Sequence, residues 1–157
     1  RAEAIRLAKH IHQLDEQLTK NEQQLDELVR ASEAAPLLQE KGIKAISAAK
    51  CLAAWSHHGR IHTEAEFASL AGVNPIPASS GNTVRYRLNR GGDRALNSAL
   101  HIVTVSKMTH DAQTSAYVER RRAQDKTDRD IRRCLKRYID RRVFRILNAQ
   151  HKVLQLA

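Results

Sequence analysis

Residues 74–96, NPIPASSGNTVRYRLNRGGDRAL, decide the kind of fold this chain adopts. The flanking stretches carry helical periodicity, and this one does not. Gly81-Asn82 and Gly91-Gly92 are turn signals. Between them, Thr83 to Leu88 alternates like a short strand. The stretch therefore reads as a loop of about twenty residues with a β-like insertion, in a chain that is otherwise mainly α. Loops this long inside a compact domain tend to be functional or disordered. This one leads with two adjacent serines, Ser79 and Ser80, and follows them with Arg85, Arg87, Arg90 and Arg94. It is either a solvated connection or a hydroxyl presented to something negatively charged.

Asp93 is a good N-cap for a helix from Arg94 to about Met108, with Leu96, Leu100, Val103 and the Ala99/Ile102 pair on its buried face. Upstream, Thr63-Glu64-Ala65-Glu66 forms a capping box, opening a helix that carries Phe67 and Leu70 and stops at Gly72. Residues 37–56 read as a short helix, a tight turn at Lys41-Gly42-Ile43-Lys44, and an alanine-rich helix ending at Trp55. Two short helices around a Gly-Ile turn resemble a helix-hairpin-helix, whose backbone N–H groups hold a DNA phosphate. Lys44 stands where such hairpins usually have a second glycine, and it is itself a candidate phosphate contact.

Ala35-Pro36 closes an N-terminal helical block, residues 3–33, free of Gly and Pro. Leu7, Ile11, Leu14, Leu18, Leu25 and Leu28 follow alternating four- and three-residue steps, with Asn21 at the one missing seam position. Such a narrow heptad seam, flanked by Glu, Gln and Lys, predicts a coiled coil between chains. The expected organisation is a dimerisation helix over 1–35 and a helical domain over 36–157. The last third is helical and basic: a short segment over Tyr117–Lys126, then a long helix from Asp128. Ile131, Leu135, Ile139, Val143 and Ile146/Leu147 line one side of that helix. Arg132, Arg133, Lys136 and Arg137 lead the cations that cover much of the remainder.

The net charge is +10, but its distribution is lopsided. Residues 1–40 carry 5 Lys/Arg against 8 Asp/Glu, and residues 41–157 carry 22 against 9. A basic body with an acidic appendage points to a polyanion as the body's partner. Cations with few acidic neighbours favour a phosphate backbone, bound in a salt-dependent way. No apolar run is long enough to span a bilayer, and the basic residues are spread over several elements rather than one amphipathic helix, so no membrane partner is expected. Cys51 and Cys134 match no metal or disulfide spacing, which fits a reducing, cytoplasmic setting.

Histidines and carboxylates add little chemistry. His57, His58 and His62 have no cysteine beside them, His10 and His12 face different sides of a helix, and no metal-ligand spacing appears, so no metal site is assigned. Asp125, Asp128 and Asp130 are explained by a helix start. The serines remain. A hydroxyl among Arg85, Arg87, Arg90 and Arg94, near the positive end of the Asp93 helix, is suited to attack phosphorus and leave a phosphoserine link. Neither a general base nor a metal accompanies it.

The order of segments KGIKAISAAKCLAAW, EFASLAGVNP, SG and RLNRGGDRAL resembles the C-terminal domain of the insertion-sequence DEDD transposases. That family includes Piv-type DNA invertases and RNA-guided bridge recombinases. The resemblance covers about residues 37–150, and GVNP-four residues-SG and GGDRAL are its most specific parts. It implies a transposase or site-specific recombinase acting on DNA in the bacterial cytoplasm, nucleoid-associated. A separate RuvC-like domain would hold divalent metal, expected to be magnesium, and a coiled coil would pair subunits into a homo-oligomer. It also makes an element-encoded guide RNA a candidate partner. In the family spacing the nucleophile is the serine immediately before glycine, here Ser80, with Ser79 its less favoured neighbour. Lys44, Asn89 and Asp93 depart from the family pattern. The chain starts at Arg1 and lacks the RuvC-like domain, so these residues alone are not expected to recombine DNA. The competing reading is a non-enzymatic helix-hairpin-helix nucleic-acid-binding module.

Overall fold

A computed structural model describes residues 1–83 and 86–154 of the chain. It is mainly helical. Helix α1 spans Ala2–Arg30, and a 3-10 turn follows at Ala35–Gln39. Helices α2 (Ala45–Trp55) and α3 (Glu64–Leu70) come next. Two short strands, β1 (Pro75–Pro77) and β2 (Tyr86–Leu88), precede α4 (Arg94–His110), α5 (Ala112–Arg122) and α6 (Asp128–Leu154).

A main core joins most of the helices, and a smaller cluster of Val118, Ile131 and Leu135 ties α5 to α6. Trp55, Phe67, Leu96, Leu100 and Leu147 are fully buried in the main core. Helix α4 packs on α2, and both α3 and α4 pack on α6, so the long basic helix closes the core from one side. Phe67 and Phe144 meet there with ring centroids 5.7 Å apart, a favourable tilted arrangement. Helix α1 joins the core only through its last turns, where Val29 is buried and Leu25 half-buried.

The local signals account for most boundaries. Thr63 Oγ1 accepts the Glu66 N–H at 3.2 Å while the Glu66 carboxylate accepts the His62 N–H at 2.9 Å. These bonds hold the Glu66 carboxyl below its ordinary range, the His62 N–H most of all. Asp93 caps α4 by accepting the Leu96 N–H at 2.7 Å.

Four expectations need correction. Helix α5 begins at Ala112 rather than near Tyr117, because Asp111 caps it, accepting from both the N–H and the hydroxyl of Thr114. Ile102 is 51% exposed, because the buried stripe of α4 passes through Ala99, Leu100, Val103 and Thr104 instead. The first arm of the expected helix pair is only the 3-10 turn at Ala35–Gln39, as a single Pro-led turn suffices to reach Gly42. Within the strand-like stretch, Tyr86–Leu88 pairs with a strand that the prolines of β1 disguise.

Candidate nucleic-acid interface

The hairpin pairs Pro75 with Leu88, Ile76 with Arg87 and Pro77 with Tyr86. Both prolines sit on a two-stranded ribbon, where a missing donor is tolerated. Beyond the strands, Ser80 and Thr83 form an isolated bridge, exchanging backbone hydrogen bonds at 3.2 and 3.1 Å. The Ser80–Thr83 bridge is in the same register as the Ile76–Arg87 pair. Ser80 and Thr83 thus fall on the parity of Ile76 and Arg87, and Ser79 on the opposite one. Gly81 takes φ +56° at the first central turn position, the requirement of a type II′ hairpin turn. Ser80 is exposed, and a side chain at Gly81 would touch nothing within 4 Å.

The foot of the hairpin, by contrast, is fastened. A Cβ on Gly92 would sit 2.6 Å from Gly72 Cα and 2.8 Å from the Leu70 carbonyl oxygen, so only glycine permits this backbone crossing. The Asp93 N–H donates to the same Leu70 carbonyl at 2.6 Å. Asn89 Nδ2 donates to the Ser69 carbonyl at 3.1 Å and to Asn74 Oδ1 at 2.8 Å, and Asn89 Oδ1 accepts the Gly91 N–H. The segments read as most specific in the sequence, GVNP and GGDRAL, therefore hold the two feet of the hairpin together.

Beside the hairpin lies a cleft of about 1090 Å³, walled by β2, α4, α5 and α6. Arg87, Arg132, Arg133, Lys136 and Arg137, all candidate phosphate contacts, line it together. Lys44, Arg90 and Arg94 are exposed and lie outside it. Arg85 lies outside the described residues. Gly42 turns toward α4, where a Cβ would meet Ser106 Oγ at 3.3 Å, and of the turn residues Ile43 rather than Lys44 lines the cleft.

The expectation that α6 carries unpartnered arginines holds for only part of the helix. Arg141 and Arg145 share Glu64 at 2.9 and 2.5 Å, and Arg142 meets Glu40 at 2.8 Å. Arg137 bonds the buried Asp140 at 2.8 Å, and Arg133 reaches Asp130 at 3.4 Å. Among the described residues no carboxylate pairs with Arg87, Arg129, Arg132 or Lys136. Lys136 Nζ instead donates to Asn97 Oδ1 at 2.8 Å, and Asn97 Nδ2 to the Ala71 carbonyl at 2.7 Å.

Partial burial lowers the pKa of Lys136. His101, another cleft residue, is held below its usual range by desolvation and by the charges of Lys136 and Arg132. The Lys136 shift comes from burial alone, whereas that of His101 also registers the neighbouring positive charges, which an incoming anion relieves. Asp140 is fully buried behind this wall, and burial pushes its pKa up to about 7 against the opposing pull of Arg137. Its Oδ1 has no hydrogen-bond partner. Sequence reading missed Asp140, His101 and Asn97, none of which belongs to a motif.

Among the described residues no three His, Cys, Asp or Glu side chains gather as a metal site. The divalent ion implied by the resemblance thus finds no ligand set here. Cys51 is buried, with its thiol pushed up to about 12 by desolvation, and Cys134 is exposed; neither is in a disulfide. No helix among the described residues is long and apolar enough to cross a membrane.

Comparison with known proteins places this geometry in context. The model of the IS116/IS110/IS902 transposase family matches residues 34–119, from the 3-10 turn through most of α5. The "insertion element IS110 uncharacterized 43.6 kDa protein" of Streptomyces coelicolor is 31% identical over 123 residues. The match covers 77% of this chain and 30% of that protein.

Proposed function

The chain belongs to the IS116/IS110/IS902 transposase family, and from that premise we propose that it is the serine-bearing, DNA-binding part of a transposase or site-specific recombinase. The observation that carries this reading is the placement of Ser80. It stands at the tip of an exposed hairpin, on the parity of Arg87, which in turn lines a basic cleft. Arg132 and Lys136, which form no direct ion pair with a carboxylate among the described residues, supply phosphate-binding charge in that cleft.

In the strand-breaking step, Ser80 Oγ forms a bond to phosphorus and one bridging P–O bond breaks. The hydroxyl proton passes to a base, and the departing strand oxygen takes up a proton. The DNA is left joined to the protein as a phosphoserine ester, whose energy is conserved for rejoining. Arginine side chains nearby stabilise charge developing on the phosphoryl oxygens. No step of this scheme runs through a metal, for which the described residues offer no ligand set. Magnesium and the RuvC-like domain that would bind it belong to the complete transposase on this reading, and a guide RNA is a further candidate partner. The exposed seam of α1 would pair subunits.

The test is a strand-cleavage and recombination assay on the transposase carrying this chain. Ser80→Ala is expected to abolish covalent DNA–protein product, by at least about 10³-fold, while DNA binding persists. Ser79→Ala should retain activity. Normal recombination by Ser80→Ala would remove the nucleophile and leave the non-enzymatic binding module as the better account.

A further inference from the structure

The chain has three tyrosines, and all three line the cleft. Its other large aromatics do the reverse: Trp55, Phe67 and Phe144 are buried in the core. Tyr86 on β2 is 58% exposed and Tyr138 on α6 is 67% exposed. Tyr117, on α5, is half-buried, with the guanidinium carbons of Arg120 and Arg121 lying 5.6 and 6.0 Å from its ring centroid. Aromatic rings from three separate elements thus face the same space as Arg132, Lys136 and Arg133, and Arg133 has a buried Nε without a hydrogen-bond partner.

A duplex backbone needs only the cations, because its bases are stacked on one another and offer no free face. Rings interleaved with cations match a strand whose bases are unpaired: each base stacks on a ring while the phosphates follow the charge. At about 1090 Å³ the cleft stands at the top of the ~300–1,000 Å³ range of ordinary small-molecule pockets.

We infer that the cleft binds an unpaired nucleic-acid strand, with bases stacked on the exposed Tyr86 and Tyr138 and phosphates held by Arg132 and Lys136, while Tyr117 packs against the Val118 cluster as part of the wall. This rests on the nucleic-acid-binding reading above, which duplex binding alone would also satisfy. The shared chemistry, an unpaired base on a phosphate backbone, occurs in melted DNA and in RNA.

Fluorescence anisotropy with the whole chain distinguishes these cases, using a labelled oligothymidylate, an oligouridylate and a DNA duplex of the same length at ~0.15 M salt. At least one single strand should bind about 10-fold more tightly than duplex, and the better of the two identifies the source. Tyr138→Ala and Tyr86→Ala should each weaken single-strand binding by roughly 5- to 150-fold, with little effect on duplex. Tyr138→Phe should restore it, since the ring and not the hydroxyl stacks. Both tyrosines are exposed, so these changes leave the core intact. Equal or tighter binding of duplex, or an equal loss on all three ligands, overturns the inference while leaving the nucleic-acid reading standing. Binding to none of them overturns both.

Discussion

Helices α1 and α6 are nearly equal in length, 29 and 27 residues, and each carries one narrow apolar stripe. Their fates are opposite. Helix α6 buries Ile131, Leu135, Ile139, Val143 and Leu147, whereas α1 leaves Leu7, Ile11, Leu14, Leu18 and Leu28 between 44% and 68% exposed. Their charged faces differ in the same way. Arginines of α6 reach across to Glu40 and Glu64 on other elements, while ion pairs of α1 such as Arg6–Glu3 and Arg30–Asp26 stay within the helix. A stripe therefore shows that a helix wants a partner, but topology decides where the partner comes from. Helix α6 finds one within the chain. Helix α1 points its seam away from the body, which suits a partner from outside.

The largest contrast should come from truncating one leucine in each stripe. Leu147→Ala should cost about 2–5 kcal/mol at any protein concentration, since it opens a cavity in the main core, where Leu147 is fully buried. Leu14→Ala should lower the melting temperature only where chains associate, and the loss should fade on dilution. Sedimentation velocity should show wild-type self-association that Leu14→Ala weakens. A concentration-independent loss at Leu14 would break the comparison, because its seam would then be serving its own chain.

An intermediate effect concerns the polar side of α6. Asp140 has a folded pKa of about 7 against roughly 3.9 when unfolded, so the folded state binds the proton more tightly between those values. Its contribution to stability is full below about pH 4 and lost as pH rises through about 7. Thermal melts should show wild type losing on the order of 2 kcal/mol between about pH 5 and pH 8, and Asp140→Asn losing much less. A wild-type curve flat over that range would show that Arg137 fully compensates the buried charge.

The smallest effect should follow Glu64→Gln, which releases Arg141 and Arg145. These pairs are partly solvated, so denaturant titration should register less than about 1 kcal/mol. A loss of several kcal/mol would mean that ions, rather than Phe67 on Phe144, join α3 to α6.

What could be read from sequence was what neighbours in sequence determine. The seam of α1, the Thr63 box, the Asp93 cap and the stripe of α6 all rest on side chains within a few positions of one another. What escaped rests on distant partners. Arg142 pairs with a glutamate 102 residues away, so α6 looked freer of acids than it is. Asn97 meets Lys136 across 39 residues, and the three tyrosines converge from separate elements. The strand at Pro75–Pro77 was hidden because two prolines argue against pairing, and only a two-stranded ribbon accommodates them. Asp111 was legible in principle, since Asp-x-x-Thr is a helix-start signal, but the basic run downstream drew the boundary toward itself.

The crossing of Gly72 and Gly92 has a consequence for timing. It clamps the hairpin at its foot and leaves Ser80 at a tip around which Gly81 has open space. The foot is held in place, but the tip at Gly81 has no wall beside it. If Ser80 is the nucleophile, it stays inert in a solitary chain and becomes reactive only when another surface closes around it. The two glycines would then act as the hinge pin of a safety catch, making assembly a precondition for cutting DNA.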